Sequence, residues 1–412
     1  MNDVLERLVA GAVADPGGPG CVVGLVRPGE PLVTARRGLA NLEHRVPITD
    51  DTVFHVASVS KQFTAYAVAA LAQDGKLGMD DPVAAHLPWF PFPDITLDHL
   101  VRHTSGLRDQ WEMVEAAGRR MEDVITTADV VRMVAAQRTL NFSPGDRYAY
   151  CNTGYTLLGL VVEAVSGQPL REFCAERVFE PLRMTRTRFV DDHQEVVEDR
   201  ADSYATRPAG GYRRIALSYA TAGATSLNTT VGDLARWAAH TMTPPMRALR
   251  ETGAGYGLGV HVDTTGVWHA GADAGFRSHF LVLPDAGVAG IVLANHAGVD
   301  TERLCAAAVG IPEPAPKPAP TASVGTADRV APAAYPGIFY CDEADAHVRL
   351  VDHDGALCLA RPTLAATPLR PVGPETFEVD VAGDERVTLV LGADHLLYST
   401  DGARNLRFDR IR

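Results

Sequence analysis

Lysine is scarce in this sequence of 412 residues. It occurs only at Lys61, Lys76 and Lys317, whereas arginine occurs 35 times. Arginine therefore serves as the ordinary basic side chain, and each remaining lysine requires a reason. An amine can lose its proton and act as a base, whereas a guanidinium stays charged in proteins. The scarcity of lysine thus makes any lysine on an apolar helix a candidate catalytic base.

Several other features are missing, and each absence excludes a class of protein. No apolar run is long enough to span a membrane, and the formal net charge of −13 argues against nucleic acid or an anionic membrane as the partner. In the N-terminal segment no basic stretch precedes an apolar one, as it would in a secretory signal, and the six cysteines lack any paired spacing. We therefore expect a globular protein with reduced thiols and a cytoplasmic localisation.

A proline-rich stretch divides the sequence into two predicted domains. Five prolines occur within residues 312–320, which predicts an extended linker over 312–334. Residues 1–311 carry strand-like runs at both ends of a helical middle, which predicts an α+β domain with one antiparallel sheet and helices packed on it. Residues 335–412 alternate short apolar runs with Asp/Gly turns, which predicts a small antiparallel β-barrel or sandwich.

The first candidate for catalysis is the pair Ser58 and Lys61. The segment from Ser58 to Asp74 is rich in alanine and has apolar residues at helical spacing, so both side chains should lie on one face of a buried helix. A serine hydroxyl becomes a nucleophile when a base accepts its proton, and burial disfavours the ammonium form of a lysine. The S-x-x-K pattern also occurs by chance on many helices, so this pair alone leaves a structural role open.

Two further short motifs place polar residues where they can line a cleft. Tyr150 and Asn152 precede a helical run, so both side chains can project into the same space. His269, Ala270 and Gly271 lead into a strand. A glycine at this position would let a substrate backbone approach the strand closely.

With their surroundings, these motifs resemble the serine β-lactamase and penicillin-binding-protein superfamily, specifically its class C-like branch, which also contains esterases, D-aminopeptidases and D,D-peptidases. The resemblance covers about residues 5–300 and is carried, in this order, by HVASVSKQFTAYAV, ITLDHLVRHTSGL, FSPGDRYAYCNTGYTLLG, AGATSLNTTVGDLARW and WHAGADAGF. It implies a β-lactamase/transpeptidase-like fold, with an antiparallel sheet flanked by helices plus an all-helical region. The tail resembles the lipocalin-like barrel that some members carry.

The resemblance implies a role for each polar residue of the first two motifs. Ser58 would be the acylated nucleophile, and Lys61 would be its proton partner. Tyr150 would be the second acid/base, which relays a proton to the leaving group and activates the deacylating nucleophile. Asn152 would bind the amide of the substrate and help to hold Lys61.

The third motif departs from the pattern of the dedicated β-lactamases. His269 occupies the position of the lysine in K-T-G, so a permanent cation for the carboxylate of the drug is missing. The resemblance implies that the substrate contacts the strand at His269, Gly271 and Ala272. The oxyanion hole would consist of the backbone N–H groups of Ser58 and Ala272. Cys151 stands where a small Ala or Ser is usual, and we assign it no chemistry.

The leading hypothesis is a serine acyl-enzyme hydrolase that cleaves an amide or ester bond in a small molecule or a short peptide containing D-residues. Two alternatives stay open: an acyltransferase or peptide-cyclising thioesterase-like enzyme that uses the same acyl-Ser58, and a non-catalytic binding protein on the same fold. No cofactor is expected, and the pair His99 and His103 lacks a third ligand for a catalytic metal. We expect substrate specificity to reside in the loops 108–128 and 190–220.

Overall fold

The computed structural model describes residues 2–243, 255–264, 266–312, 335–353, 355–380 and 386–411. The helices in these ranges are α1 (Asn2–Ala12), α2 (Lys61–Gln73), α3 (Val83–His86), α4 (Leu97–Val101), α5 (Gln110–Ala116), α6 (Thr127–Ala136), α7 (Asn152–Ser166), α8 (Leu170–Cys174), α9 (Val231–Thr241) and α10 (Thr301–Val309). A 3₁₀ turn (Ala57–Ser60) precedes α2, and a π-helical turn (Ala175–Phe179) follows α8.

The strands of the first part of the chain are β1 (Cys21–Val26), β2 (Val33–Arg37), β3 (Leu39–Asn41), β4 (Val46–Pro47), β5 (Phe54–His55), β6 (Ile125–Thr126), β7 (Arg188–Phe189), β8 (Ser203–Thr206), β9 (Tyr212–Ile215), β10 (Tyr219–Ala220), β11 (Leu227–Thr229), β12 (Gly255–Gly257), β13 (Val260–Val262), β14 (Val267–Asp273), β15 (Phe276–Leu283) and β16 (Val288–Ala294). The strands of the second part are β17 (Gly337–Cys341), β18 (Ala346–His353), β19 (Ala356–Arg361), β20 (Leu364–Pro368), β21 (Arg370–Pro371), β22 (Thr376–Asp380), β23 (Arg386–Leu391), β24 (His395–Ser399) and β25 (Leu406–Arg410).

The main sheet joins the two ends of the first region. Its antiparallel order is β12-β13-β14-β15-β16-β1-β2, and Cys21 of β1 pairs with Ala294 of β16. Successive side chains of a strand point to opposite faces, and the sheet is covered on both. Val23 of β1 packs with α1 and α10, whereas Val22 packs in the larger core that contains Leu234 of α9. The predicted α+β architecture is therefore confirmed.

The helical region is organised around α2, which contacts α7 and α8. Ten of its thirteen residues are buried, which explains why this helix is rich in alanine. Ser58 lies in the 3₁₀ turn that leads directly into α2, so the helical environment expected for the pair Ser58 and Lys61 is present. Gly75 adopts a positive φ of 69° just beyond the end of α2, which permits the chain to reverse there.

The C-terminal strands form a nearly closed antiparallel barrel. Its order is β20-β19-β18-β17-β25-β24-β23-β22-β21. The two edge strands, β20 and β21, follow each other along the chain with only Leu369 between them. The predicted barrel is therefore confirmed, and its form fits the lipocalin-like domain expected from the resemblance. The core of the barrel also contains Met113 and Ala116 of α5, so a helix of the first region completes it.

Some sequence predictions concern parts of the chain that the structure does not test. Apart from Pro312, the predicted linker 312–334 lies outside the described residues, so the domain boundaries stay predictions.

The six cysteines are buried and free of disulfides, as expected. Within the described ranges, no helix combines the length and the apolar character that a membrane span needs.

Candidate active site

Ser58 lies at the base of a cavity of about 510 Å³. The 3₁₀ turn that carries it is fixed from behind, because Ser60 Oγ donates to Ala57 O and accepts from Leu227 N at 3.1 Å. Ala57 has a positive φ of 49°, which is rare for a residue with a side chain. The half-buried Ser58 hydroxyl is therefore presented to the cavity by a sharply bent and well-supported turn.

Lys61 is completely buried and contacts three oxygen atoms. Its Nζ lies 2.9 Å from Ser58 Oγ, 2.8 Å from Asn152 Oδ1 and 2.8 Å from Ala224 O. The amide oxygen and the carbonyl oxygen can only accept, so they bind two hydrogens of the amine. In the neutral amine, the lone pair is then directed at the Ser58 hydroxyl. This arrangement allows Lys61 to take the proton of Ser58.

The environment of Lys61 favours its neutral form. Burial lowers the pKa of Lys61 from its ordinary value of 10.5 to about 7, and the negative charges of Asp273 and Asp109 oppose this shift. A base whose pKa lies near neutrality can both accept and return a proton at physiological pH. The electrostatics of the site therefore suit a lysine that works as a general base.

Tyr150 completes the proton-transfer groups. It lines the same cavity as Ser58, and its ring centroid lies 4.8 Å from Lys61 Nζ. Burial raises the pKa of Tyr150 well above its ordinary value, and the side chain of Ser58 opposes the shift. Tyr150 is consequently a neutral phenol that can donate a proton.

Asn152 is held between the Lys61 amine and a carboxylate. Its Oδ1 faces Lys61, while its Nδ2 donates to Asp109 Oδ2 at 2.9 Å, and its backbone N–H donates to the same oxygen. Asp109 is buried, with 5% of its surface exposed. Asp109 was not among the predicted site residues, although it lies just beyond the quoted HTSGL segment.

Strand β14 brings the second predicted oxyanion donor next to the nucleophile. A Cβ added to Gly271 would collide with Val56 O and Ser278 Oγ, so the glycine permits β14 to lie against the turn that carries Ser58. The exposed Ala272 follows on the same strand and also lines the cavity. Gly271 is therefore required for the packing of β14 against this turn, in addition to any role in the approach of a substrate.

His269 is neutral in this site. Its Nδ1 lies 2.6 Å from Ala270 O, which can only accept, so Nδ1 carries the proton. Its Nε2 then accepts from the Tyr256 hydroxyl at 3.1 Å. Burial lowers the pKa of His269 well below its ordinary value, and the charge of Lys61 acts in the same direction. His269 therefore offers no positive charge to a substrate.

Comparison with known proteins assigns the chain to a family. The family model described as Beta-lactamase matches residues 5–310, which include each of the site residues described above. The chain belongs to the beta-lactamase family. The family predicted from the sequence motifs is confirmed.

Individual relatives of this beta-lactamase family member include enzymes named for D-amino acid substrates. A D-aminopeptidase of Gluconobacter oxydans (strain 621H) is 30% identical over 330 residues, or 75% of the chain, which in turn spans 62% of that relative's length. A penicillin-binding protein homologue from Pyrococcus abyssi, described as octameric, aligns over 98% of both chains with a TM-score of 0.66 and 20% identity. A D-amino acid amidase from Ochrobactrum anthropi SV3 covers 75% of the chain and 97% of its own, with a TM-score of 0.64 and 22% identity.

The cavity of the beta-lactamase family member has acidic and aromatic walls. Its lining residues include the acidic Asp273, Asp300 and Glu302 and the aromatic Trp111 and Trp268. Arg277 also lines it, and its guanidinium donates to the backbone at Phe276 O at 2.7 Å.

Asp273 belongs to a polar cluster that the sequence analysis did not identify. Its Oδ2 lies 2.8 Å from His55 Nε2 and accepts from the Thr225 hydroxyl. These residues come from three separate segments of the chain, so no local pattern could have revealed the cluster.

The histidines that we excluded as metal ligands have structural contacts in this member of the family. His99 closes a capping box with Thr96 at the start of α4. Nδ1 of the buried His103 accepts from Cys151 N at 3.0 Å, which fixes the segment between Tyr150 and Asn152.

Proposed function

We propose that this protein is a serine acyl-enzyme hydrolase that cleaves amide or ester bonds, with amides of D-amino acids as its preferred substrates. The observation that carries the proposal is the contact between Lys61 Nζ and Ser58 Oγ at 2.9 Å, made by a fully buried lysine whose other two partners are fixed acceptors. A non-catalytic binding protein has no need of a buried amine directed at a serine.

The first half of the reaction forms an ester on Ser58. Neutral Lys61 accepts the hydroxyl proton while Oγ forms a bond to the substrate carbonyl carbon, and the backbone N–H groups of Ser58 and Ala272 bind the resulting oxyanion. When the C–N bond breaks, Tyr150 donates its proton to the departing nitrogen. The Lys61 ammonium then returns a proton to Tyr150, so the protein regains its starting protonation state.

The second half reverses these roles with water. Tyr150 takes a proton from a water molecule as it passes its own phenolic proton to neutral Lys61, and the water attacks the ester carbonyl while the same two N–H groups bind the oxyanion. The Lys61 ammonium then gives its proton to Ser58 Oγ as the ester bond breaks. The acid product then leaves, and no cofactor takes part in this scheme.

The cavity supports an amino acid amide as the substrate. The carboxylates of Asp273, Asp300 and Glu302 can attract the ammonium group of such a molecule. Neutral His269 provides no charge for the carboxylate of a β-lactam at the position where a lysine would supply one. The preference for D-configuration is supported by the names of two related proteins, the D-aminopeptidase and the D-amino acid amidase.

A panel of aminoacyl amides tests the proposed function. We expect release of ammonia from D-phenylalanine amide and D-leucine amide, with kcat/KM at least about tenfold above that of the L-enantiomers. N-acetyl D-amino acid amides should react more slowly, because they lack the ammonium group that the acidic wall attracts. Ammonia release and chromatography of the products measure both effects.

The same panel includes methyl esters and thioesters, with an added amine as a possible acceptor. Absence of turnover and of a covalent adduct for every member would contradict the proposal. Conversion of the acyl group into an amide of the added amine, with little free acid, would identify acyl transfer instead of hydrolysis.

Replacement of Tyr150 by phenylalanine tests the role of the phenol. We expect kcat to fall by about 10²-fold to 10³-fold, because the leaving nitrogen loses its proton donor. The ring and its contact with Lys61 are retained, so the melting temperature should stay close to that of the wild type. Steady-state kinetics with a D-aminoacyl amide measure the loss.

Tyr148→Phe is the matched control, since Tyr148 lies two residues away and is 47% exposed. This variant should retain the wild-type kcat. Full activity of Tyr150→Phe would remove Tyr150 from the mechanism.

A further inference from the structure

The short helix α5 contacts both the catalytic centre and the C-terminal barrel. At its start, the side chain of Asp109 binds Asn152 and also accepts from Trp111 N at 2.9 Å. Farther along the helix, Met113 and Ala116 are fully buried in the core of the barrel. One rigid element therefore reaches from the amide that holds Lys61 to the interior of the second domain.

A turn of the barrel supports Asp109 directly. The carbonyl oxygen of Gly402 accepts from Asp109 N at 2.8 Å and from Asn141 Nδ2 at 2.9 Å. Arg404 N donates to Asn141 Oδ1 at 2.8 Å, so both ends of the Asn141 side-chain amide are hydrogen-bonded to the barrel turn. A Cβ added to Gly402 would collide with the Glu112 carboxylate and lie 3.0 Å from the Cβ of Asp109. The absence of a side chain at Gly402 therefore permits this close contact.

The preceding residue, Arg108, also contacts both the barrel and the first region of the chain. Its buried guanidinium pairs with Glu343 of the barrel and donates to Thr139 Oγ1 at 2.8 Å. Its backbone carbonyl accepts from Thr153 Oγ1 at 2.8 Å, next to Asn152. Two consecutive residues therefore link the barrel to the start of α7.

Asp109 fixes the orientation of the Asn152 amide. An amide has an acceptor and a donor end, and here the carboxylate binds the donor end while Lys61 binds the acceptor end. Rotating the amide by half a turn would direct its NH₂ group at Lys61 and its oxygen at the carboxylate. Both contacts would then be unfavourable, so Asp109 selects the orientation that holds Lys61 for proton transfer.

We propose that residues 107–116 couple the C-terminal barrel to the catalytic centre, with Asp109 as the positioning residue for Asn152 and the barrel turn at Gly402 as the support for Asp109. This inference rests on the proposed function for its kinetic readout. It makes the barrel a structural part of the active site. A purely local role of Asp109, as the cap of α5, would affect stability alone.

Asp109→Asn is the first variant that tests this coupling. It keeps the size of the side chain but places an NH₂ group opposite an N–H donor, at either Asn152 or Trp111, so kcat should fall on the order of a hundredfold through misplacement of the Asn152 amide, with a smaller change in KM. It also removes a negative charge close to Lys61, so the acid limb of the pH profile should move to lower pH. The titratable groups around Lys61 are Asp109, Asp273, Tyr150, Cys151, His103 and His269.

Asp233→Asn is the matched control for the loss of a buried carboxylate. Asp233 is 2% exposed and binds Arg186 N at 2.8 Å and Thr187 Oγ1 at 2.9 Å, and it does not line the cavity. This variant should lose stability while its kcat and pH profile stay unchanged. An Asp109→Asn variant that behaves in the same way would overturn the positioning role.

Gly402→Ala tests the barrel side of the coupling in the full-length chain. We expect kcat to fall by about tenfold, because the added methyl group collides with the Glu112 carboxylate and crowds the Cβ of Asp109. Hydrogen exchange should become faster at residues 107–116 and 150–156. Gly373→Ala is the control, since a Cβ there would lie 3.4 Å from Thr376 in another barrel turn and should change neither property.

The double variant decides whether the two effects share one route. If the barrel acts through Asp109, Gly402→Ala should cost little further activity in the Asp109→Asn background. Equal losses in both backgrounds, or unchanged exchange at residues 150–156 in Gly402→Ala, would overturn the coupling. The exchange measurement needs no substrate, so it still tests the coupling if the wild-type protein proves not to be a hydrolase.

Discussion

Ser58→Ala is expected to abolish both turnover and covalent labelling. The wild-type protein should gain the mass of one acyl or phosphonyl group when it is treated with a penicillin or a fluorophosphonate, because its Ser58 hydroxyl is activated by Lys61. Without the hydroxyl there is no atom to acylate, and kcat should fall by about 10⁶-fold, which is the scale found when a serine nucleophile is removed. Intact-mass spectrometry and amide hydrolysis measure the two effects.

Ser166→Ala is a suitable control for this variant. The Ser166 hydroxyl donates to Val162 O at 2.6 Å within α7, and the residue does not line the cavity. Labelling of this control should equal that of the wild type. Equal labelling of wild type and Ser58→Ala would show that the probe reacts elsewhere and would refute the assignment of the nucleophile.

Lys61→Arg is expected to reduce kcat/KM by roughly 10⁴-fold, the upper range for loss of a general base. A guanidinium keeps its proton at every pH at which the protein is folded, so it cannot accept the proton of Ser58. Lys76→Arg makes the same change at an exposed position and should have wild-type kinetics. Retention of activity in Lys61→Arg would exclude Lys61 as the base.

The pH profile of the wild-type protein provides the reference for this variant. Lys61 is active when neutral, and burial lowers its pKa to about 7. For an amide or ester substrate without a titratable amine, the value of kcat/KM should therefore fall as the pH decreases through about 7 and should be level above it until Tyr150 loses its proton well above pH 10. Lys61→Arg should lack this dependence, and its residual rate should be flat across the same range.

The sequence predicted those parts of the site that depend on local spacing. Ser58 and Lys61 lie three residues apart, and Tyr150 and Asn152 lie two apart, so each pair is placed by one helical or extended segment. Asp109 and Ala224 were not predicted, since their contacts join segments that are far apart in the chain. A hydrogen bond between residues separated by 163 positions, such as that of Lys61 with Ala224, is set by the fold and has no local signature.

The fold shows the same division between local and distant information. The period-two pattern after residue 335 predicted an antiparallel barrel, because side chains that alternate between core and solvent follow from strand geometry alone. The same pattern says nothing about what else enters the barrel core. Met113 and Ala116 complete that core from a helix more than two hundred positions earlier, and the contact became visible only in three dimensions.

The pairing of β1 with β16 has a consequence for how the protein is synthesised. Residues 21–26 of β1 pair with β16, the last strand of the main sheet to be translated, so β1 cannot complete its pairing until β16 has been made. The nucleophile leaves the ribosome early, whereas the strand that carries Ala272 and its neighbours is translated some two hundred residues later. Contacts of such long sequence separation form slowly. An unfinished chain therefore lacks the complete reaction centre, and hydrolytic activity should arise only after most of the polypeptide has been made.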